Sequence, residues 1–175
     1  MITTLHPRVL NKYKNPYFVE TGTGSGDCVR LAIATGFEKV FSVELDPDRQ
    51  EKNISKFKDF IAKGRVVLMI GDSILELPKI LDQLDKPATF WLDAHVDEGP
   101  CGLKKCPLYE ELDAIGRNPI KQHTILIDDM RILGQHWGTG ITKETLIEKL
   151  KQINNSYKIS FEDGYEKDDI LVAHF

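Results

Sequence analysis

Phe18-Val19-Glu20-Thr21-Gly22-Thr23-Gly24-Ser25-Gly26 joins an apolar, strand-like run to the start of a helical one, with three alternating glycines at the turn between them. A residue without a Cβ lets such a turn bend tightly and approach a ligand. The spacing is Glu-x-Gly-x-Gly-x-Gly, not the Gly-x-Gly-x-x-Gly of dinucleotide sites. Counted from Gly22, the last glycine of that fingerprint would fall on Asp27. Glu20 at the strand end would repel a pyrophosphate and favours a ligand that carries positive charge. Alone, the stretch also fits an ordinary tight turn of an α/β protein.

Outward from this turn, strand-like and helical runs alternate. A helix over residues 26–35 closes at Gly36, and a second strand follows over 39–44. Pro47 opens a helix that runs to 62, Gly64 ends it, and 65–70 is a third strand. A helix over 74–84 leads to a fourth strand at 88–93. Residues 94–107 lack periodicity and form a long loop, which in a compact domain is usually functional. A helix at 108–115, a fifth strand at 123–128 and an amphipathic helix at 143–153 precede two short strands, 157–161 and 170–175. Strands alternating with helices predict a parallel sheet covered on both faces; the closing pair reads as an antiparallel hairpin at one edge.

The chain has 175 residues, 41% hydrophobic and 29% charged, which suits one soluble domain with one sizeable core. A net charge of −4 with scattered Lys and Arg disfavours nucleic acid or an anionic membrane as partner. Cys28, Cys101 and Cys106 are too few for a disulfide framework and suit a reducing, cytoplasmic setting. No run is apolar enough for a signal peptide or a membrane span.

Five consecutive strand ends carry a carboxylate: Glu20, Glu44, Asp72, Asp93 and Asp128. A sheet edge of one charge sign repels itself unless a cation or a polar ligand binds there. Singly, each has a structural reading as well, because Asp46, Asp72 or Ser73 at such positions can cap the next helix.

This order of elements and these carboxylates resemble the class I S-adenosylmethionine-dependent methyltransferases over nearly the entire chain. The resemblance implies one domain, residues 1–175: a Rossmann-like three-layer αβα sandwich. Its seven-stranded, mostly parallel sheet would have the order 3-2-1-4-5-7-6 and one antiparallel edge strand. The charge at Glu20 suits the amino and sulfonium groups of S-adenosylmethionine. Glu44, 20 residues after Gly24, would accept from both ribose hydroxyls, and Asp72 would meet the adenine amino group. Thr21, Gly22, Gly24, Gly26, Leu45, Ser73 and Asp93 complete the implied donor site.

Asp128-Asp129 and Asp93 end neighbouring strands, so three carboxylates would converge. Such oxygen ligands suit Mg²⁺ or Mn²⁺, although a solvated pair at a turn is the alternative. The arrangement is similar to the divalent site of catechol and macrolide-sugar O-methyltransferases, which implies methyl transfer to an oxygen of a small molecule or sugar. Asp93 and His95 are the candidate catalytic residues, with His95 as base, as a further ligand or as an ordinary loop histidine. Cys101 and Cys106, with His95 and Asp97, are poorly spaced for zinc. Arg131 and Trp137 are candidates for acceptor recognition, and Cys28 reads as a packing residue.

Two motifs are absent: the Asp-Pro-Pro-Tyr type that serves amino methylation of DNA bases, and the phosphate loop. Only residues 1–16 and 94–107 are available to cover an acceptor. That side would be open or completed by a second copy in a homodimer. The same economy supports a rival reading, a non-catalytic S-adenosylmethionine- or nucleotide-binding module that assists a larger enzyme.

Overall fold

The computed structural model describes residues 3–94, 102–135 and 138–175. In chain order the elements are α1 (Pro7–Lys12), β1 (Tyr17–Thr21), α2 (Asp27–Thr35), β2 (Lys39–Glu44), α3 (Pro47–Lys56), α4 (Lys58–Ala62) and β3 (Val66–Ile70). They continue with α5 (Ser73–Leu81), β4 (Ala88–Leu92), α6 (Leu108–Arg117), β5 (Thr124–Ile127), α7 (Lys143–Ile153), β6 (Lys158–Glu162) and β7 (Ile170–His174). The strands form one sheet in the expected order β3-β2-β1-β4-β5-β7-β6. β1 to β5 pair in parallel, and β7 runs antiparallel to both β5 and β6. The reversed strand therefore lies one place in from the edge, and β6 is outermost.

Near-continuous apolar strands are explained by burial on both faces, because successive side chains point to opposite sides. Val19, Phe41, Phe90, Ile125 and Leu171 pack with α5, α6 and α7. Their neighbours Phe18, Val40, Trp91, Leu126 and Val172 pack with α1, α2 and Phe57. Three layers result.

Two features depart from the sequence pattern. α1, with Pro7 in its first turn and buried Val9 and Leu10, occupies a stretch in which no element was expected; six residues are too few to show a period. The helix expected from Pro47 to residue 62 is broken at Phe57 (φ −106°, ψ 14°). The break turns Phe57 into the core, where its ring packs under Gly26. Among the described residues no helix is long and apolar enough to cross a membrane.

Candidate functional site

Backbone hydrogen bonds carry the parallel register past the strand ends. Gly71 N donates to Glu44 O (2.9 Å), Gly22 N to Val43 O (2.9 Å), Asp93 N to Thr21 O (3.1 Å) and Asp128 N to Leu92 O (3.3 Å). Asp72, Glu44, the glycine turn, Asp93 and Asp128 are thereby aligned along the carboxyl edge of the sheet, where open α/β sheets bind ligands.

The glycines of the turn do different work. At Gly22 (φ +87°) a Cβ would lie 2.4 Å from the carbonyl oxygen of Asp93, so this glycine lets β1 and β4 close together. Gly24 (φ +54°) faces open space, with nothing within 4 Å of its Cβ position. Gly26 abuts Asn53 and Phe57. Gly24 is therefore the one that leaves room for a ligand. Its N–H donates to Glu44 Oε2 (2.8 Å), while Asp46 N donates to Glu44 Oε1 (3.1 Å). Each Glu44 oxygen keeps a lone pair for one hydroxyl of a vicinal pair. Leu45 beside it is half-buried.

Beneath the turn runs a buried polar chain that sequence reasoning missed. Gln50 Nε2 donates to Thr23 Oγ1 (3.1 Å), the Thr23 and Ser42 hydroxyls lie 2.6 Å apart, and Ser42 donates to Glu20 Oε2 (2.5 Å). Asn53 Nδ2 holds the Gly24 carbonyl at 3.0 Å. Ser42 on β2 and Gln50 and Asn53 on α3 lie outside the glycine stretch that holds Glu20 and Thr23, so only packing brings them to it. Glu20 is 1% exposed and faces this chain, so its carboxyl supports the turn from below. Burial, opposed by the Ser42 hydrogen bond, pushes Glu20 from 4.5 up to about 8.

The folded protein thus holds a proton on Glu20 that the unfolded chain releases near pH 4.5. Stability from this group is complete below that pH and is lost as pH rises through about 8. Glu20→Gln, which mimics the protonated form, is expected to flatten this alkaline loss. Its melting temperature relative to wild type should rise between pH 5 and 8.5 by on the order of 10 °C, as read by thermal denaturation. An unchanged difference across that range would refute the buried proton.

Asp72 is a helix cap: Oδ1 accepts from Ile74 N (2.8 Å) and Oδ2 from Leu103 N (2.5 Å). Gly102 lies so close that a Cβ there would sit 1.9 Å from Oδ2. Ser73 is buried as the first residue of α5. Thr21 is fully buried, and its Oγ1 has no hydrogen-bond partner among the described residues.

On the other side of the turn, Asp93, Asp128 and Asp129 converge as expected, each offering an oxygen within 4.8 Å of the others'. Burial, then the neighbouring Asp128, Asp129 and Glu20, hold Asp93 well above the ordinary carboxylate range. Burial pushes Asp128 up to about 6, with Asp129 adding to the effect and a hydrogen bond from Thr4 opposing it. Asp129 has a left-handed backbone (φ 61°), a conformation rare outside glycine and met at ligand sites. A cation fits this donor set. Asp128 is 3% exposed, and its Oδ1 lacks a hydrogen bond among the described residues. Three acidic oxygens so close lower their mutual repulsion by sharing a positive charge.

Arg131 does not stand free for an anionic acceptor. Its guanidinium pairs with Asp129 and with the buried Asp169 and lies 4.8 Å from the centre of the Tyr165 ring. Cys28 is a buried packing residue, its thiol raised by desolvation. His123, the residue before β5, accepts from Ala88 N (3.0 Å) and serves the structure. His95, Asp97, Cys101 and Trp137 lie outside the described residues, so the base expectation for His95, the zinc expectation and the acceptor expectation for Trp137 lie there too.

No protein-family profile and no curated protein matches the sequence. Solved structures do. The chain is similar to a methyltransferase of Podospora anserina bound to S-adenosylhomocysteine, with TM-score 0.63 and 13% identity, covering 97% of this chain and 75% of that one. It is also similar to TomG, an O-methyltransferase of Streptomyces achromogenes in complex with S-adenosylmethionine and involved in tomaymycin synthesis. There the TM-score is 0.60 and the identity 11%, covering 96% and 76% of the two chains. A bacterial Hen1 methyltransferase domain matches with TM-score 0.62 and 17% identity, covering 96% of this chain and 94% of that domain. The fold is that of the class I S-adenosylmethionine-dependent methyltransferases, and a domain of nearly this size is a known form of it.

Proposed function

We propose that this chain is an S-adenosylmethionine-dependent methyltransferase that methylates an oxygen of a small molecule or sugar at a divalent-cation site. The observation that carries the reading is the pairing, on one sheet edge, of a glycine turn anchored by Glu44 with the three carboxylates Asp93, Asp128 and Asp129. Glu44 would take the ribose hydroxyls, the open side of Gly24 would admit the donor, and Leu45 would lie beside the adenosine. Asp72 would receive the adenine amino group on a lone pair that the Ile74 and Leu103 N–H groups leave.

S-adenosylmethionine supplies the methyl as a sulfonium: the acceptor O–C bond forms as the S–C bond breaks, leaving S-adenosylhomocysteine. Mg²⁺ or Mn²⁺ held by Asp93, Asp128 and Asp129 would lower the pKa of an acceptor hydroxyl. The residues of this chain align the two reactants, and alignment alone contributes much of such a rate. His95 is the candidate to take the hydroxyl proton.

The test is a mass-spectrometric methylation assay over catechols, vicinal diols and sugars, with Mg²⁺ or with chelator. A methyl ether that forms with metal and is lost with chelator is expected. Donor binding without transfer to any acceptor would favour the accessory-module reading instead.

A further inference from the structure

We propose that Thr4 is a positioning residue of the carboxylate centre and that the N-terminal segment bearing it forms one wall of that site. The inference rests on the cation-binding reading above. Thr4 Oγ1 donates to Asp128 Oδ2 at 2.5 Å, across 124 residues of sequence. A hydroxyl has one proton to give, so this bond engages one carboxylate oxygen and leaves the other unpaired. The unpaired oxygen is observed: Asp128 Oδ1 is buried without a hydrogen bond among the described residues, on a side chain converging with Asp93 and Asp129. Thr4 thus fixes the rotation of the Asp128 carboxylate and keeps one set of lone pairs for a cation, as hydrogen bonds to metal-binding carboxylates generally do.

The segment that carries Thr4 is anchored on both sides of it. Thr3 Oγ1 lies 2.9 Å from Cys28 Sγ and accepts from Leu5 N at 3.1 Å. Cys28 belongs to α2, the helix that leaves the glycine turn. Leu5 is 2% exposed, and Val9 and Leu10 of α1 are buried in the same core as Cys28. Adjacent threonines therefore join the helix of the donor turn to the carboxylate centre. The N-terminal stretch thereby forms one wall of the carboxylate centre.

Mn²⁺ binding, followed by electron paramagnetic resonance on the full chain without donor or acceptor, tests this directly. Thr4→Val keeps the shape and removes the hydroxyl, and Thr4→Ser keeps the hydroxyl. Thr4→Val is expected to weaken Mn²⁺ binding by about 10- to 100-fold. Thr4→Ser should bind it much as wild type does, and S-adenosylhomocysteine affinity by calorimetry should be alike in all three. Mn²⁺ affinity that is equal in Thr4→Val and wild type, or equally weak in both variants, overturns the role of Thr4 and leaves the cation site standing. A parallel fall in S-adenosylhomocysteine affinity also overturns it, by showing a general disturbance. Wild-type protein that binds no Mn²⁺ overturns this inference together with the cation reading.

Discussion

Glu44→Ala is expected to weaken S-adenosylhomocysteine binding by about 100-fold, the equivalent of two hydrogen bonds to a charged group. Glu44 is 6% exposed, and both of its carboxylate oxygens hold backbone donors of the surrounding turns, Gly24 N and Asp46 N. Its loss removes the acceptors for a vicinal diol and loosens the one stretch of the turn that faces open space. Glu44→Gln retains a single acceptor oxygen and should fall between the two, by about 10-fold. Calorimetry on folded variants, with folding checked by circular dichroism, reads the series. An alanine variant that binds as tightly as wild type would move the ribose elsewhere.

Asp128→Asn should produce opposite effects on function and stability. Without its charge the centre keeps two carboxylates, so methyl transfer is expected to fall about 1000-fold and Mn²⁺ binding by at least about 100-fold. Stability in the absence of metal should rise. Burial and the neighbouring Asp129 already push Asp128 up to about 6, which marks a carboxylate whose charged form the fold disfavours. The amide still accepts from Thr4, so the wall of the site is retained. A higher melting temperature with lost activity identifies a site that gives up stability for function. Lost activity with a lower melting temperature would instead make Asp128 a structural residue.

The layers of the fold were readable because the strands alternate between two cores. Phe18 and Val19, or Val40 and Phe41, look like one apolar run and serve opposite faces. The convergence of Asp93, Asp128 and Asp129 followed from the adjacency of β4 and β5, since neighbouring parallel strands bring their ends together. The position of Glu44 beside the glycine turn was readable for the same reason, from the adjacency of β1 and β2. What the sequence did not disclose depends on contacts between distant segments. Thr4 reaches Asp128, Gln50 and Asn53 reach up from α3 to the turn, and Asp169 in the turn before β7 clamps Arg131. None of these residues has a local pattern to announce it. Glu20 shows the limit from the other side: an acidic residue at a strand end pointed to a cationic ligand, but its carboxyl turns inward to Ser42. Asp72 was readable in two ways, and its hydrogen bonds to Ile74 and Leu103 realise the capping one.

The most direct test of a donor site beside a cation site is calorimetric titration of S-adenosylhomocysteine into the wild-type protein, with and without Mn²⁺. Saturable binding in the micromolar range, about 100-fold weaker in Glu44→Ala and retained in Asp128→Asn, is the expected result. No binding at millimolar ligand in either condition would contradict a donor site at the glycine turn.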